Sequence, residues 1–566
     1  MKCPRLSGTL CVLVLAPVLG QAQVPPAPRD PNDQLIREQQ EKLREDLLRQ
    51  APPASIRFDQ PGQDGRVPDA RALSDIPSTG PTFPVHTIRQ EGAALLPEAV
   101  FREVAAPFVG QSLGVAHINV LLERMNRALV AAGYTTSRAY VGNQSLHEGV
   151  LAITIVPGTI EKLLYNGAAV EAGRADGPGI SMAMPMREGD VLRLRDIEQA
   201  VDQLNRLRRN NVQVQIRPGT QPGGSIVEFV NQPRDGARYN VSVDNQGSAA
   251  TGRMRIQLGV DHGNVLGLME SLNAGLTTSA DTNALYGTFS VPLGYTTLAG
   301  MASISEYQNL VGDTALVYGR SRSYTMSINH LLDRDQTSKT AFDVSLTRRD
   351  SERSINNLRL APQDQTVLRA GVNRLQRFET EYGLGQWTAD AGISHGLSWW
   401  GANRDPADLP PAAARYAFTK AELSASLERP LPGAWVWRSR GAGQWSRHPL
   451  YSSEQLFAGG VGSVRGFAES AQGGDRGAYW RNEWAWQKAP PLFGGEVRYE
   501  PYTFFDMAQV RTVSDGRSHG LASAGGGVRV AYRTGFFEAI LGKPLRRPQG
   551  VADSGWRINV SASYQF

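Results

Sequence analysis

The feature that most constrains this chain is an alternation of apolar and polar residues that runs through residues 237–566. Met254, Ile256 and Leu258 illustrate it, and Gly, Asn, Asp and Pro separate the alternating segments. Successive side chains of a strand point to opposite faces, so the pattern predicts strands with one face in lipid and one in a polar interior. A soluble β-sandwich or β-solenoid would also alternate, but the lack of helical periodicity throughout the region favours a transmembrane antiparallel β-barrel.

The size of this barrel follows from strand length. A tilted transmembrane strand takes about 9–11 residues, and connections of similar length leave room for about 16 strands. A barrel of that size has a water-filled lumen. The last segment, from Trp556 onward, alternates up to an aromatic residue, Phe566. We expect Phe566 to be the signal by which the barrel-assembly machinery inserts the chain into outer-membrane lipid.

The first 22 residues are typical of a cleavable secretory signal. Two basic residues precede an apolar stretch over residues 10–19, and small residues follow at 20 and 22. This stretch is too short to span a bilayer, although it could also be a short buried helix. The only two cysteines, Cys3 and Cys11, lie inside it. Cleavage would therefore leave an exported chain without thiols, which suits an oxidising periplasm.

Residues 23–50 contain a charged helical segment. Ile36, Leu43 and Leu47 form a stripe along it that is too narrow to bury much surface against a core. This pattern fits either a solvated helix or a helix that fills a wet, polar cavity. Residues 51–82 carry six prolines and no long apolar run, which predicts a linker that is partly extended and partly flexible.

Residues 83–157 and 158–231 have similar patterns of helix and strand. Each unit combines an amphipathic helix, such as the one carrying Ile197, Val201 and Leu204, with short strands that end at Pro-Gly. One apolar helix face over one small sheet can close a core, so we predict two duplicated α+β domains. The strands at 212–216 and 225–230 are candidate edges for binding an extended peptide, or else ordinary internal strands.

The most informative short stretch is the Gly-rich segment 459–467, which contains Val464, Arg465, Gly466 and Phe467. It interrupts the alternation and lies between two predicted strands. Its glycine spacing does not match a dinucleotide fingerprint, and no helix follows it. The glycines instead predict a loop that folds tightly against other backbone.

Composition argues against several other functions. The formal net charge is only +5 in 566 residues, and no basic block stands out, so nucleic acid is not an expected partner. The zinc-protease pattern H-E-x-x-H and the phosphate-binding pattern G-x-x-x-x-G-K-[ST] do not occur, and the eight histidines lack metal-ligand spacing. We therefore predict no enzyme activity, no cofactor and no metal.

At this point the chain resembles a known superfamily. Residues 464–467 are similar to the V-R-G-F/Y motif of the superfamily that includes the central barrel-assembly factor of outer membranes. Phe504 and Asp506 match its F-x-D-x-G motif, with Ala508 in place of the final glycine. The resemblance implies that Arg465 lies on the sixth extracellular loop, inside the lumen, and pairs with Asp506. An arginine can grip a carboxylate through two parallel bonds, so the pair would hold the loop in one position as a latch.

The order of segments is similar to that of the two-partner secretion transporters, the hemolysin secretion/activation family (ShlB/FhaC/HecB). The two α+β units would be POTRA domains; the assembly factor normally carries five and its autotransporter-assembly relative three. The resemblance implies a monomeric channel in the outer membrane of a Gram-negative bacterium, with the POTRA domains in the periplasm.

The same resemblance implies the mechanism. The POTRA domains would capture a large partner exoprotein, whether a hemolysin, an adhesin or a contact-dependent toxin, and the barrel would pass it unfolded to the cell surface. The 23–50 segment would plug the lumen at rest, and the linker would let it withdraw. The alternatives are a factor that assembles or inserts outer-membrane proteins and a passive porin with periplasmic adaptors.

Overall fold

The computed structural model describes residues 33–48, 56–58, 80–170, 178–233, 236–248, 251–312, 314–468, 472–487, 497–548 and 555–566. The predicted signal segment 1–22 and most of the predicted linker lie outside these residues. The helices are α1 (Asp33–Leu48), α2 (Glu98–Ala105), α3 (Val115–Ala131), α4 (Gly179–Ala183) and α5 (Leu194–Asn205). Within the described ranges, none of the helices combines the length and the apolar character that crossing a membrane requires.

Ten short strands precede the barrel. They are β1 (Ile56–Phe58), β2 (Phe83–Val85), β3 (Thr87–Gly92), β4 (Gln111–Leu113), β5 (Arg138–Tyr140), β6 (Val150–Val156), β7 (Thr159–Tyr165), β8 (Ala168–Ala169), β9 (Gln213–Pro218) and β10 (Gly224–Val230).

The alternating region forms a closed antiparallel barrel of 16 strands, which confirms the predicted fold class. The barrel strands are β11 (Arg238–Asp244), β12 (Arg255–Gly263), β13 (Ser271–Thr278), β14 (Thr282–Leu293), β15 (Thr296–Val311), β16 (Ala315–Arg334), β17 (Ser338–Ile355), β19 (Gln363–Thr380), β20 (Gly383–Leu397), β21 (Thr419–Pro430), β22 (Trp435–Ser446), β25 (Arg476–Trp486), β26 (Val497–Arg511), β27 (Ser518–Tyr532), β28 (Gly535–Arg546) and β29 (Arg557–Gln565). The two-residue β18 (Leu358–Arg359) belongs to a loop, as do β23 (Leu456–Ala458) and β24 (Gln472–Gly474). Pairing of β29 with β11 closes the barrel.

The barrel wall carries apolar side chains on its outside and polar side chains on its inside, which is the reverse of a soluble protein. On β16, Met326 and Ile328 are exposed on the outside, whereas Ser323, Thr325 and Asn329, at the alternate positions of the same strand, are buried. Lipid covers the outward apolar side chains, so exposure of this kind is stable only in a membrane. The interior is therefore polar, as the alternation predicted.

The first α+β domain packs α2 and α3 on a sheet of order β3-β6-β5. Leu121, Met125 and Leu129 lie at helical spacing on one face of α3 and are fully buried. They pack in one core with the inward residues of β6, such as Leu151 and Ile153. The apolar residues at helical spacing on α3 and those at alternate positions on β6 thus form one core.

The second α+β domain has a sheet of order β1-β9-β10-β7-β8 under α5. Of the two readings left open for residues 225–230, the structure has the internal strand, because β10 lies between β9 and β7. Val227 and Phe229 of β10 are fully buried in the domain core. Strand β9, which contains most of the other candidate edge, pairs on its outer side in parallel with β1, with Ile56 opposite Val214.

Helix α5 is buried on two faces. One face, with Ile197 and Leu204, packs in the core of its own domain. The other face docks on the connections at one end of the barrel: Gln203 Nε2 donates to the carbonyl oxygen of Gly294 at 2.9 Å. On the same face, Arg334 Nη1 lies 2.8 Å from Asp202 Oδ2. This domain therefore marks the periplasmic end of the barrel and is fixed to it.

Tyr295, in the turn between β14 and β15, strengthens this docking. Its hydroxyl donates to Asp196 at the start of α5. Burial raises the pKa of Asp196, and burial together with this hydrogen bond raises the pKa of Tyr295 to about 12. Tyr295 therefore stays protonated at physiological pH and remains a donor.

We predict that the Arg334→Ala substitution loosens the second α+β domain from the barrel. Removing one partner of a buried ion pair costs about 3–5 kcal/mol, because the other charge stays buried without compensation. Hydrogen exchange of the α5 amides should become faster in the variant. The control is Arg374→Ala, since Arg374 is exposed and donates to Gln376 on its own strand. Unchanged exchange in α5 would show that this ion pair does not hold the domain.

Candidate functional site: a latched loop and a helix inside the barrel

The loop between β22 and β25, described at residues 447–468 and 472–475, lies at the end of the barrel opposite the docked domain and turns back into the lumen. It is the sixth loop at that end. Val464 and Phe467 are buried in a cluster with Val510 of β26. Ala508, which stands where the resembled motif has glycine, belongs to the same cluster, so its methyl group adds to the packing.

Gly466 lies where the loop touches the barrel wall. A Cβ added to it would be 2.6 Å from Cβ of Ser523 and 3.1 Å from the carbonyl carbon of Lys543. Its N–H donates to Ser523 Oγ at 3.1 Å. Only glycine allows such a close approach of two backbones. The structure thus gives a reason for glycine at this position of the motif.

Arg465 lies between the loop and the barrel wall with a side-chain exposure of 1%. Its Nε and Nη2 donate to Oδ2 and Oδ1 of Asp506, each at 2.8 Å, and its backbone N–H donates to Oδ2 at 3.1 Å. The guanidinium lies over the Phe504 ring, 4.0 Å from the centroid, a cation–π geometry. The structure therefore brings together Arg465, Phe504 and Asp506, which the sequence singled out.

A second carboxylate, Glu483 on β25, completes the surroundings of Arg465. Arg465 Nη1 donates to Glu483 Oε2 at 2.8 Å, and Glu483 is almost as buried as its partner. Sequence reasoning missed this residue. The signal available was that Glu483 and Arg481 occupy the lumen-facing positions of a strand whose other face carries Trp480. That pattern places Glu483 inside the barrel but does not identify its partner.

Glu483 connects Arg465 to a larger ionic network on the lumen wall. Arg529 Nη1 and Nη2 donate to its two carboxylate oxygens at 2.6 and 2.8 Å. Arg529 and Arg438 also share Glu500, with 2.7 Å contacts from each. Charged hydrogen bonds of this kind are stronger than neutral ones, and a network of them fixes several strands at once. The loop is therefore attached to β22, β25, β26 and β27 together.

Helix α1 lies inside the lumen and touches the same loop. Arg37 Nη2 donates to the carbonyl oxygen of Ser453 at 2.6 Å, and its Nη1 donates to that of Gln455. Its guanidinium also lies over the Phe457 ring at 5.6 Å. The beginning of the helix is thus bound to the segment of loop that leads into the latch.

The barrel wall holds α1 through polar contacts. Asp33 Oδ1 pairs with Arg349 Nη1 at 2.9 Å, and Gln40 Nε2 donates to Thr325 Oγ1 at 3.1 Å. Of the predicted stripe, Ile36 is buried, whereas Leu43 and Leu47 are half-buried and line a cavity near the periplasmic end. Helix α1 is thus held in the lumen mainly by polar and ionic contacts.

Phe566 pairs with the first strand of the barrel. Its N–H and carbonyl oxygen bond to Tyr239 at 3.0 and 2.8 Å, and the two rings stack with centroids 5.8 Å apart. The Phe566 side chain is 64% exposed on the outside of the barrel. It lies at the seam where β29 and β11 close the cylinder.

Two observations bear on whether the chain could carry a hydrolase site or a metal site. Residues 392–396, Gly-Ile-Ser-His-Gly, match the G-x-S-x-G pattern of serine hydrolases, but they lie within β20 and Ser394 donates to Glu422 at 2.8 Å. A nucleophile elbow requires a turn from strand to helix, which this strand lacks. In the part of the chain that the structure describes, no three His, Cys, Asp or Glu side chains are grouped to hold a metal ion.

A closed membrane barrel, two periplasmic α+β domains, a loop fixed inside the lumen and a helix beside it define a class of outer-membrane protein transporters. Residues 223–530 match the family model described as haemolysin secretion/activation protein ShlB/FhaC/HecB. Residues 83–158 match a POTRA domain of the ShlB type, and residues 159–218 match a POTRA domain. The chain belongs to the haemolysin secretion/activation family ShlB/FhaC/HecB.

Individual proteins agree with this assignment. The outer membrane transporter CdiB of Dickeya dadantii (strain 3937) is 30% identical over 510 residues, covering 88% of this chain and 89% of the relative. The hemolysin transporter protein ShlB of Serratia marcescens is 28% identical over 73% of each chain. The structure of CdiB from Escherichia coli superposes with a TM-score of 0.82 at 28% identity, covering 95% of this chain and 99% of CdiB.

The chain is therefore an outer-membrane transporter of two-partner secretion, with its POTRA domains in the periplasm. A BamA structure from Haemophilus ducreyi has a TM-score of 0.50 at 14% identity, which reflects a shared fold alone. The comparisons thus favour the transporter over the assembly factor.

We predict that Glu483→Gln destabilises the latched state. The substitution removes the charge that Arg465 and Arg529 share, at a cost of about 3–5 kcal/mol for a buried pair. The temperature at which the folded barrel converts to the unfolded form on gels should fall. Glu428→Gln is the matched control, because Glu428 is 44% exposed and lies 3.8 Å from Arg438, where a pair contributes about 0–1 kcal/mol. Equal effects of the two substitutions would contradict a special role for Glu483.

Proposed function

We propose that the cargo of this transporter is a large TpsA-type exoprotein, which the POTRA domains capture in the periplasm and the barrel passes unfolded to the cell surface. The observation that carries the proposal is that the lumen holds a helix, α1, whose contacts with the wall and with the latched loop are mainly polar. Such a channel is closed at rest and can be emptied. Relatives named hemolysin transporters support a protein cargo, and a hemolysin, an adhesin and a contact-dependent toxin are the candidate classes.

Capture of the exoprotein involves the edge of β9 in the second POTRA domain. In the described residues 56–58, strand β1 pairs with three residues of β9, Val214, Gln215 and Ile216. An extended segment of the exoprotein can pair with more of the six-residue strand, and main-chain bonds of this kind do not depend on sequence. The exoprotein would thus displace β1, which is joined to the plug helix through the linker.

Insertion and assembly complete the proposal. The alternating strand β29 and the aromatic Phe566 act as the signal for the barrel-assembly machinery. All 16 barrel strands come from one chain and close on themselves, which supports a monomer. Folding of the exoprotein at the cell surface removes unfolded chain from the equilibrium and so drives export without nucleotide hydrolysis.

We predict that Arg465→Ala abolishes or strongly reduces export while the barrel remains inserted and heat-modifiable. Without the guanidinium, Asp506 and Glu483 are left buried next to each other and the loop leaves its position. Arg465→Lys should not restore export, because an ammonium cannot make the paired bonds of a guanidinium. Export is measured as exoprotein in the culture medium and on the cell surface of cells that also express a candidate TpsA-type exoprotein.

The control for the latch is Arg447→Ala, because Arg447 is on the same loop and exposed. It should export normally. Normal export by Arg465→Ala would remove the latch from the mechanism. If the exoprotein reaches the surface of cells that lack this chain altogether, the cargo assignment itself is wrong.

We predict that deletion of residues 30–50 raises single-channel conductance in planar bilayers and preserves secretion, because α1 occupies the lumen but makes no part of the wall. The complementary variant carries Gln40→Cys and Thr325→Cys, whose side chains meet at 3.1 Å in the unaltered protein. A short, reducible thiol cross-linker between the two cysteines should block export, and reduction should restore it; the linker is used because cysteine is shorter than the Gln40 side chain that makes the contact. Unchanged conductance after the deletion would disprove the role of α1 as a plug.

A further inference from the structure

The outside of the barrel carries four basic residues at the extracellular ends of neighbouring strands. They are Arg476 at the start of β25, Arg511 at the end of β26, and Lys543 and Arg546 near the end of β28. Val510, next to Arg511, is buried toward the lumen, so Arg511 faces outward, since successive residues of a strand face opposite sides. We call these four residues the outer basic cluster.

The guanidinium groups of this cluster lie close together. Arg476 and Arg511 are directly opposite each other where β25 pairs with β26. Arg546 reaches across β27, because a Cβ added to Gly520 would lie 2.8 Å from Arg546 Cζ. Gly520 pairs with Gln509, two residues before Arg511. Neighbouring strands are about 4.8 Å apart and alternate residues of a strand about 7 Å apart, so the three guanidinium groups share one patch of surface.

Indole rings flank the cluster on both sides. The Arg476 guanidinium lies 5.2 Å from the centroid of the Trp445 ring, and its Nε donates to the carbonyl oxygen of Ser446 at 2.6 Å. Lys543 Nζ lies 5.5 Å from the centroid of the Trp556 ring. The two tryptophans are 54% and 58% exposed. Aromatic residues of membrane barrels gather where hydrocarbon meets the headgroups, which places the cluster at the headgroups of the outer leaflet.

The carboxylates of these strands do not neutralise the cluster. In the described parts of β25 to β28 and their connections, the ion pairs involve other arginines. Asp515 pairs with Arg517 at 3.6 Å, and Asp475 is buried and accepts from two backbone N–H groups of the loops. Like charges directly opposite each other, as in Arg476 and Arg511, destabilise a sheet. An anion from outside the chain would remove this repulsion.

Another sector of the same barrel end has matched charges. On β16, Arg320 and Arg322 alternate with serines that face the lumen, so both arginines are on the outside. Arg320 is directly opposite Glu352, and Arg322 is directly opposite Asp350. Cross-strand pairs of opposite charge stabilise a sheet without an external ligand. The unmatched positive charge is therefore confined to the sector of β25 to β28.

We propose that the outer basic cluster binds the phosphate groups of lipopolysaccharide, the phosphorylated glycolipid of the outer leaflet. Guanidinium groups bind phosphate through paired charged hydrogen bonds, and an ammonium adds a compact charge. Leu541 and Ile558 are exposed and directly opposite each other, next to Lys543 and Trp556, so the acyl chains can pack on them. Because Arg476 directly follows the latched loop, the bound phosphate also holds the base of that loop. This lipid site does not depend on the identity of the cargo.

The test is native mass spectrometry of the purified full-length chain in detergent micelles. The ligands are lipid A, which is the membrane anchor of lipopolysaccharide, the same lipid A without its phosphates, and inorganic phosphate. We expect a one-to-one adduct with lipid A at concentrations where the other two ligands do not bind. The double substitution Arg511→Gln and Arg546→Gln should weaken lipid A binding about tenfold or more, the effect of losing at least one charged hydrogen bond.

The matched control is the double substitution Arg320→Gln and Arg322→Gln, which changes the net charge by the same amount at the same end of the barrel. It should bind lipid A like the unaltered chain. Both variants are checked for the heat-modifiable mobility of the folded barrel, which separates loss of the ligand from loss of the fold. The comparison of the two lipids on the unaltered chain needs no variant.

Several results would overturn the lipid site. Equal binding of lipid A with and without phosphates would do so, as would equal weakening of lipid A binding in the two double variants. Binding of inorganic phosphate as tight as that of lipid A would show an anion site that does not recognise lipid. A second copy of the chain in place of the lipid would show an interface between barrels. Each of these results leaves the transporter function intact.

Discussion

A single buried guanidinium organises the extracellular half of this protein. Arg465 is buried away from water. It donates five hydrogen bonds, one of them from its backbone N–H, to Asp506, Glu483 and the Asn482 carbonyl oxygen. A buried charge is stable only when it is paired and fully bonded, so the loop that carries Arg465 has one permitted position. That position brings Gly466 against the backbone of β28 and places the rest of the loop within reach of α1.

The latched loop and helix α1 therefore form one structure. Arg37 binds the loop at Ser453 and Gln455, and Asp33 binds Arg349 on the wall. A change that moved the loop would remove contacts from the helix, and withdrawal of the helix would remove contacts from the loop. The two elements contribute mainly polar surface to each other, so the contact between them lacks the large hydrophobic gain that makes a core permanent.

The periplasmic half is organised by a docked domain and not by one buried ion pair. Here the second POTRA domain is fixed to the barrel through α5, which is buried on both faces. The cavity lined by Leu43 and Leu47 lies next to the end of α5. The docking extends around this end of the barrel, from the turn after β12, where Met269 is buried in the core of the domain, to Gly294 after β14 and Arg334 at the end of β16. Strand β1 lies on the edge of β9 in the same domain.

Much of this architecture was predictable because it depends on local periodicity. The alternation through residues 237–566 fixed the barrel and its approximate strand number, and the helical stripe through Ile197, Val201 and Leu204 predicted the helix that packs in the second α+β domain. The resemblance to the V-R-G-F/Y and F-x-D-x-G motifs predicted that Arg465 pairs with Asp506. Each of these signals lies within a short stretch of chain or in a pattern that repeats.

The tertiary structure decided everything that depends on which distant segments become neighbours. The strand of residues 225–230 lies in the middle of its sheet because β7 pairs with it from 60 or so residues earlier in the chain, and an alternating strand has the same sequence at an edge as in the interior. Glu483 joins Arg465 because β25 and β26 lie side by side beneath the loop. The amphipathic pattern of α5 marks one buried face, but its polar face is buried too, against turns more than 90 residues away. Periodicity tells which side of an element is covered by its own core, whereas long-range packing chooses the partner, and no short stretch of sequence contains that choice.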